Sequence, residues 1–217
     1  MALNTTRWNR LRYTLYAPIY DRLVRLDRAR ARSIGLLGLR PGERVLVVGA
    51  GTGQDLDLLS AEVRVTAGDI SPGMLRRLRT RVERSGREVE VRELDAHHLP
   101  FADATFDAVL LHLVVAIVPD PRACLSEAAR VVRPGGRISI LDKFAPEQRT
   151  IPLWRRLLNP VSETLATSVS RRLAPLLTGL PLRIESRAPV AFRGLLEAAL
   201  LRKDEADSPA EEGNVEA

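Results

Sequence analysis

The stretch VLVVGAGTGQDLDLL, residues 45 to 59, constrains this chain more than any other. Val45 to Val48 read as a strand buried on both faces, and the run breaks directly into glycines at 49, 51 and 53. Those glycines let the backbone turn sharply and pass close to a ligand without Cβ obstruction. The segment from about Gln54 to Ser60, with Leu56 and Leu59 on one side, reads as the helix that completes a strand-turn-helix unit. Repetition of that unit along the chain predicts an α/β fold with a mostly parallel sheet.

The repeats follow in order. Val63 to Asp69 is a second strand, and Ser71 then caps a helix with Pro72 at its first position and Gly86 as its stop. Val89 to Leu94 and Phe106 to Leu113 are the third and fourth strands. Asp120 and Pro121 repeat the cap-and-proline signal for a helix running to about Val132, and RPGG turns the chain into a fifth strand, Arg137 to Asp142. Pro181 to Arg187 and Phe192 to Lys203 can close the sheet as an antiparallel hairpin, although LLEAALL reads equally as helix. The expected organisation is an N-terminal helical cap over 1–40 and a main domain over 41–203 with a cover segment at 145–180. A disordered acidic tail over 204–217 completes it.

Charge separates that tail from the rest. It carries six acids and no Lys or Arg, so in a chain of net charge +6 the body before it carries +12. A basic body attracts anionic partners. Cys124, the only cysteine, reads as a small apolar helix residue, and His97, His98 and His112 fall in no metal-ligand spacing, so no metal site is expected. The basic N-terminus lacks the apolar core of a secretory signal, and the longest apolar stretch, Ala108 to Val118, falls short of the roughly 20 residues needed to span a bilayer. A cytoplasmic protein is expected.

What the glycine turn holds can be narrowed further. A dinucleotide site requires GxGxxG, whereas here Gln54 follows Gly53, and a Walker loop requires a GK[ST] that is missing. Asp69 ends the second strand twenty residues after Gly49, where a carboxylate accepts bonds from ribose hydroxyls. Asp95 follows the third strand at the same sheet edge, near the place of an adenine amine. Two acids without a basic phosphate clamp favour a nucleoside that carries no phosphate.

The runs VLVVGAGTG, GDISPGML, DAHHLPFADATFDAVLL and EAARVVRPGGRISI together resemble the class I S-adenosylmethionine (SAM) dependent methyltransferases. The resemblance implies a Rossmann-like doubly wound sheet, with Gly49, Ala50, Gly51 and Thr52 along the methionine part of the cofactor. It implies that Asp69 holds the ribose, that Ile70 and Met74 flank the adenine, and that Asp95 and Ala96 meet its edge. YAPIYDRL, Tyr16 to Leu23, is similar to the segment that folds over the cofactor in quinone-biosynthesis C-methyltransferases and bacterial phosphatidylethanolamine N-methyltransferases, which implies Tyr16 and Tyr20 near the transferring methyl. The chain departs from the family pattern at Val47, where an acid that helps hold the methionine ammonium usually stands.

A sulfonium is already an activated donor, so transfer needs positioning and exclusion of water, with a base only where the acceptor must lose a proton. His112, near the carboxyl end of the fourth strand, is the candidate base, its alternative role being to fill a core position; of His97 and His98 at most one should face the ligand. After the fourth strand, LVVAIVPDP lacks the polar residue, two prolines and aromatic typical of enzymes that methylate base amines, so nucleic acid is disfavoured as a partner. Trp8, Leu11, Leu15 and Ile19 recur at helical spacing among Arg7, Arg10, Arg12 and Arg22, as an interfacial basic helix requires; Trp154, Leu157 and Leu158 with Arg155 and Arg156 offer a second patch. Both stripes could equally pack on the domain. The expected acceptor is a hydrophobic or amphiphilic small molecule, first a phospholipid head-group amine, with peripheral contact on the inner face of an anionic membrane. The alternatives are a quinone-type precursor methylated at C or O, and a SAM-binding protein without catalysis.

Overall fold

The computed structural model describes residues 4–24, 26–144 and 171–205. Three helices open it, α1 (Thr6–Tyr16), α2 (Tyr20–Leu23) and α3 (Asp27–Gly35). The alternating region follows as β1 (Arg44–Val48), a 3-10 turn (Gln54–Leu58), β2 (Arg64–Asp69), α4 (Pro72–Ser85), β3 (Val89–Glu93), β4 (Phe106–His112), α5 (Pro121–Val131) and β5 (Val132–Lys143). A short helix α6 (Leu173–Leu177) precedes β6 (Leu182–Ala191) and β7 (Leu196–Lys203).

The strands form one sheet in the order β3-β2-β1-β4-β5-β7-β6. The first five are parallel, and β7 runs antiparallel between β5 and β6. Chain order moves outward from β1 to β3 and then restarts on the other side of β1 with β4, which opens a crevice at the carboxyl ends of β1 and β4. Period-two alternation divides the core between the two faces. Leu46, Val48, Val109 and Leu111 pack with Cys124, Leu125 and Ala128 of α5 on one side. Val45, Val47, Ala108 and Leu110 pack with Leu75 and Leu78 of α4 on the other.

The helix signals act as the sequence predicts. Ser71 Oγ accepts from the Met74 amide at 3.2 Å with Pro72 at the first helical turn, and Gly86 ends α4 in the left-handed region at φ 63°. Asp120 accepts from the Arg122 and Ala123 amides at 2.9 and 3.0 Å to start α5. Each such cap is worth about 1 kcal/mol.

Two expectations change in form. The helix expected from Gln54 to Ser60 is a 3-10 turn ending at Leu58; it opens on Gly53 at φ 88° and turns Asp55 inward beside Leu56. LLEAALL, open between strand and helix, is β7, because it is hydrogen-bonded on both sides and buries Leu196, Ala198, Ala199 and Leu201. The RPGG segment is an irregularity at the start of β5, where pairing with β4 jumps from Phe106 opposite Val132 to Ala108 opposite Arg137. Most of the expected cover, including the patch around Trp154, and the tail beyond Glu205 lie outside the described residues.

Candidate active site

A cavity opens where the strand order reverses. Gly49 after β1, Asp69 at the end of β2 and His112 at the end of β4 line its floor, and Asn9, Tyr13 and Tyr20 of α1 and α2 line its roof. The glycine turn is held in place by backbone bonds, from the Ala50 amide to the Gly68 carbonyl at 2.8 Å and from the Gly51 amide to Asp69 Oδ2 at 2.9 Å. Gly51 has φ 57°, and a Cβ there would point toward the Tyr20 ring, whose Cε1 would be 3.9 Å away. A larger side chain at this position would therefore enter the gap between turn and roof.

Asp69 is buried, and burial raises its carboxyl, against the pull of the Ser71, Gly51 and Ile70 amides. Oδ1 accepts from the Ser71 amide at 2.8 Å, which leaves lone pairs on both oxygens for a diol. Ile70 and the fully buried Met74 add an apolar wall beside it. Asp95 and Ala96 lie on the same wall. Asp95 Oδ1 accepts from the backbone amide of His97 at 3.0 Å and from its Nδ1 at 2.7 Å, while His97 Nε2 accepts from the Asp120 amide at 3.3 Å, so His97 carries its proton on Nδ1. His97 faces the cavity and His98 is exposed.

Four expected residues, Ala50, Gly51, Thr52 and Tyr16, are not among those lining the cavity. Ala50 is buried in the core beneath the turn. Thr52 donates its hydroxyl to Asp21 Oδ1, which also accepts from Gln54 Nε2 at 2.9 Å, while Arg81 reaches Asp21 Oδ2 at 3.0 Å. Thr52 thus ties α2 to the turn and lies off the cavity wall. Tyr16 is 42% exposed, whereas Tyr20 faces the cavity, where burial pushes its hydroxyl up to about 12. Tyr13, absent from the expected set, meets Tyr20 edge-on with ring centroids 6.5 Å apart, and burial raises its hydroxyl as well.

His112 is 4% exposed and hydrogen-bonded through Nδ1 to Asp55 Oδ1 at 2.7 Å; Asp55 Oδ2 in turn receives Arg30 Nη1 at 2.7 Å. Burial acts to raise the Asp55 carboxyl, but His112 and Arg30 outweigh it and hold the group well below the usual carboxylate range. Val47 belongs to the core on this same sheet face, paired with Leu110 one step of the alternation below His112. The buried carboxylate at this end of that face therefore comes from the turn after β1, where no local pattern sets Asp55 apart from Asp57.

The cavity wall carries no Arg or Lys among the described residues, although the chain has 33. Two carboxylates and an apolar wall with no Arg or Lys among the described residues suit a nucleoside with a cationic end and disfavour phosphates. That composition fits the cofactor implied by the sequence.

A family model described as a methyltransferase domain matches residues 46–140. A phosphatidylethanolamine N-methyltransferase of Cereibacter sphaeroides is 37% identical over 156 residues, covering 71% of this chain and 77% of that protein. A demethylmenaquinone methyltransferase of Tropheryma whipplei is 38% identical over 136 residues, covering 62% of this chain and 56% of that protein. Among solved structures, the cyclase SpnF superposes with a TM-score of 0.78 at 16% identity, over 93% of this chain and 97% of that one, a likeness of fold. A relative matched over more than three quarters of its length, with a methyltransferase model from β1 into β5, establishes that the chain belongs to the SAM-dependent methyltransferases, Rossmann-like enzymes that use S-adenosylmethionine as cofactor.

Proposed function

We propose that this enzyme methylates an amphiphile at the surface of an anionic membrane, in the first instance a phospholipid head-group amine. The observation that carries the proposal is the orientation of α1. Its buried residues are Asn9 and Arg12, while Trp8, Leu11 and Leu15 stand exposed at 41, 54 and 68%. Asn9 donates to the Ile117 carbonyl at 3.0 Å and accepts from Arg12 Nη2 at 3.1 Å, so polar bonds hold the inner face. A helix with its apolar stripe turned outward suits an apolar phase beyond the protein.

Charge agrees with a lipid surface of opposite sign. Arg7 and Arg10 flank the stripe, and the adjoining groove between α1 and α4 is lined by Arg76, Arg77, Arg81 and Arg84. Arg10 is paired with Glu93 and Arg81 with Asp21 and Asp57, so the attraction falls to Arg7, Arg76, Arg77 and Arg84, each worth about 1 kcal/mol near an anionic surface. Because the same helix roofs the cavity through Asn9 and Tyr13, an acceptor in the bilayer lies next to the site. The two acids, the apolar wall and the turn would hold the cofactor as the sequence implies, with Asp69 on the ribose, Ile70 and Met74 beside the adenine, and Asp95 and Ala96 at its edge. Gly49 and Gly51 would lie along the methionine part and Tyr20 near the reactive methyl. The bound cofactor supplies that methyl on a sulfonium. No helix among the described residues is long and apolar enough to cross a membrane, so contact would be peripheral.

A quinone-type ring is the second acceptor, supported by the demethylmenaquinone methyltransferase relative. Vesicles of phosphatidylethanolamine and phosphatidylglycerol doped with a demethylated quinone, incubated with protein and SAM, separate the two. The expected outcome is methylated head groups by mass spectrometry and sedimentation of the protein with the vesicles. Leu11→Glu with Leu15→Glu should abolish sedimentation while leaving SAM affinity unchanged. Methylation of the quinone alone would move the assignment to the ring, and unconsumed SAM would point to a protein that binds without catalysis.

A further inference from the structure

A buried histidine with one ring nitrogen committed and the other without a partner stands on the cavity wall. His112 lines the cavity, its Nδ1 is bound to Asp55, and its buried Nε2 has no hydrogen-bond partner among the described residues. The side chains of Arg30, Asp55 and His112 are 5, 2 and 1% exposed. They come from three separate elements, α3, the 3-10 turn and the end of β4.

We infer that His112 Nε2 is the general base of methyl transfer, with Asp55 and Arg30 as the positioning residues that fix its tautomer. This rests on the assignment of the cavity as the site of methyl transfer. An ionised carboxylate only accepts hydrogen bonds, so the bond that Nδ1 donates to Asp55 requires the proton on Nδ1 and leaves the Nε2 lone pair free. The Arg30 guanidinium, 2.7 Å from Asp55 Oδ2, keeps that acid ionised. Arg30 matters for a second reason, since its positive charge balances Asp55 and leaves the buried pair with no net charge beside a cationic cofactor. An ion pair between α3 and the turn would be complete without His112. A buried polar nitrogen left unbonded carries a desolvation cost, which is relieved when an acceptor's N–H or O–H enters the cavity.

Nε2 takes a proton from the acceptor's ammonium or hydroxyl, and the electron pair freed on that nitrogen or oxygen forms the new bond to the methyl carbon. The bound cofactor would supply the methyl from its sulfonium and retain the carbon–sulfur electron pair as a neutral thioether, and Nε2 then releases the proton to solvent. The inference therefore narrows the acceptor to one that carries a removable proton, an ammonium or a hydroxyl. The other titratable groups on the cavity wall are Tyr13 on α1, Tyr20 on α2, Asp69 on β2, and Asp95 and His97 after β3, with the buried Asp142 on β5 beside them.

Two readouts test this. In the unliganded protein, 15N NMR of labelled histidine should find His112 protonated on Nδ1 with Nε2 bare, and Asp55→Asn should lose that preference. In single-turnover assays His112→Gln and Asp55→Asn should slow transfer about 100-fold or more, while calorimetric SAM affinity stays within about twofold of wild type. A proton found on Nε2 in the wild type, or an unchanged rate in a folded His112→Gln variant that binds SAM, would overturn the inference. Failure of the wild type to bind SAM would instead overturn the assignment of the cavity.

Discussion

Single residues at this site divide into those that sequence spacing can place and those that only tertiary pairing reveals. Asp69, Asp95 and His112 stand at strand ends, and because strand ends are set by local apolar runs, their convergence on one edge follows from the order of the runs. Arg30 and Asp55 lie 25 residues apart in α3 and the 3-10 turn, and nothing local marks either as the partner of His112. Asp142 is another buried acid of this kind. It accepts from the Ala116 and Lys143 amides, both at 2.8 Å, and burial outweighs those bonds, pushing its carboxyl up to about 6 from an ordinary 3.8. A carboxyl raised in the folded state binds more protons than in the unfolded chain between those two values, so its contribution to stability falls as pH rises through that window. The stability of Asp142→Asn relative to wild type should therefore increase from pH 4 to pH 6 and then level off, by about 2 to 3 kcal/mol in total. Paired denaturant titrations across that range provide the check, and a flat difference would assign Asp142 an ordinary carboxyl.

Elements were legible where capping and periodicity agree. Ser71 with Pro72, Gly86, and Asp120 with Pro121 mark helix ends that the structure keeps within a residue or so. Periodicity fails for β7, since a strand buried on both faces is an unbroken apolar run that a buried helix would share. It also fails to orient α1. The spacing of Trp8, Leu11 and Leu15 predicts one apolar face, but the inward face is chosen by the bonds of Asn9 to Ile117 and by the contact of Thr14 with α4. That contact is close, because a Cβ on Gly73 would fall 2.7 Å from Thr14 Cα and 2.8 Å from its carbonyl oxygen. Gly73→Ala should push α1 off α4 and lower stability by about 1–3 kcal/mol, despite alanine's better helix propensity. Thermal melts read the stability, and because α1 roofs the cavity, SAM affinity should weaken in the same variant; an unchanged melting temperature would mean that α1 moves freely enough to absorb the methyl group.

At the scale of the whole molecule, the sheet order brings the ends of β1, β2 and β4 together, and the charge distribution separates two surfaces. The body is strongly basic, with Arg76, Arg77 and Arg84 gathered along the groove beside α1, while the cavity wall has acids and no Arg or Lys among the described residues. The parallel order of the first five strands was legible from the βα rhythm, whereas the insertion of β7 between β5 and β6 depends on pairing that no local pattern encodes. The central claim is that the acid-lined cavity at the strand-order reversal holds the cofactor. Calorimetric titration of the wild type and of Asp69→Ala with SAM tests it most directly, with circular dichroism confirming that both are folded. The account predicts micromolar binding by the wild type and no detectable binding by Asp69→Ala. Equal affinity in the two would contradict it and move the cofactor to another part of the molecule.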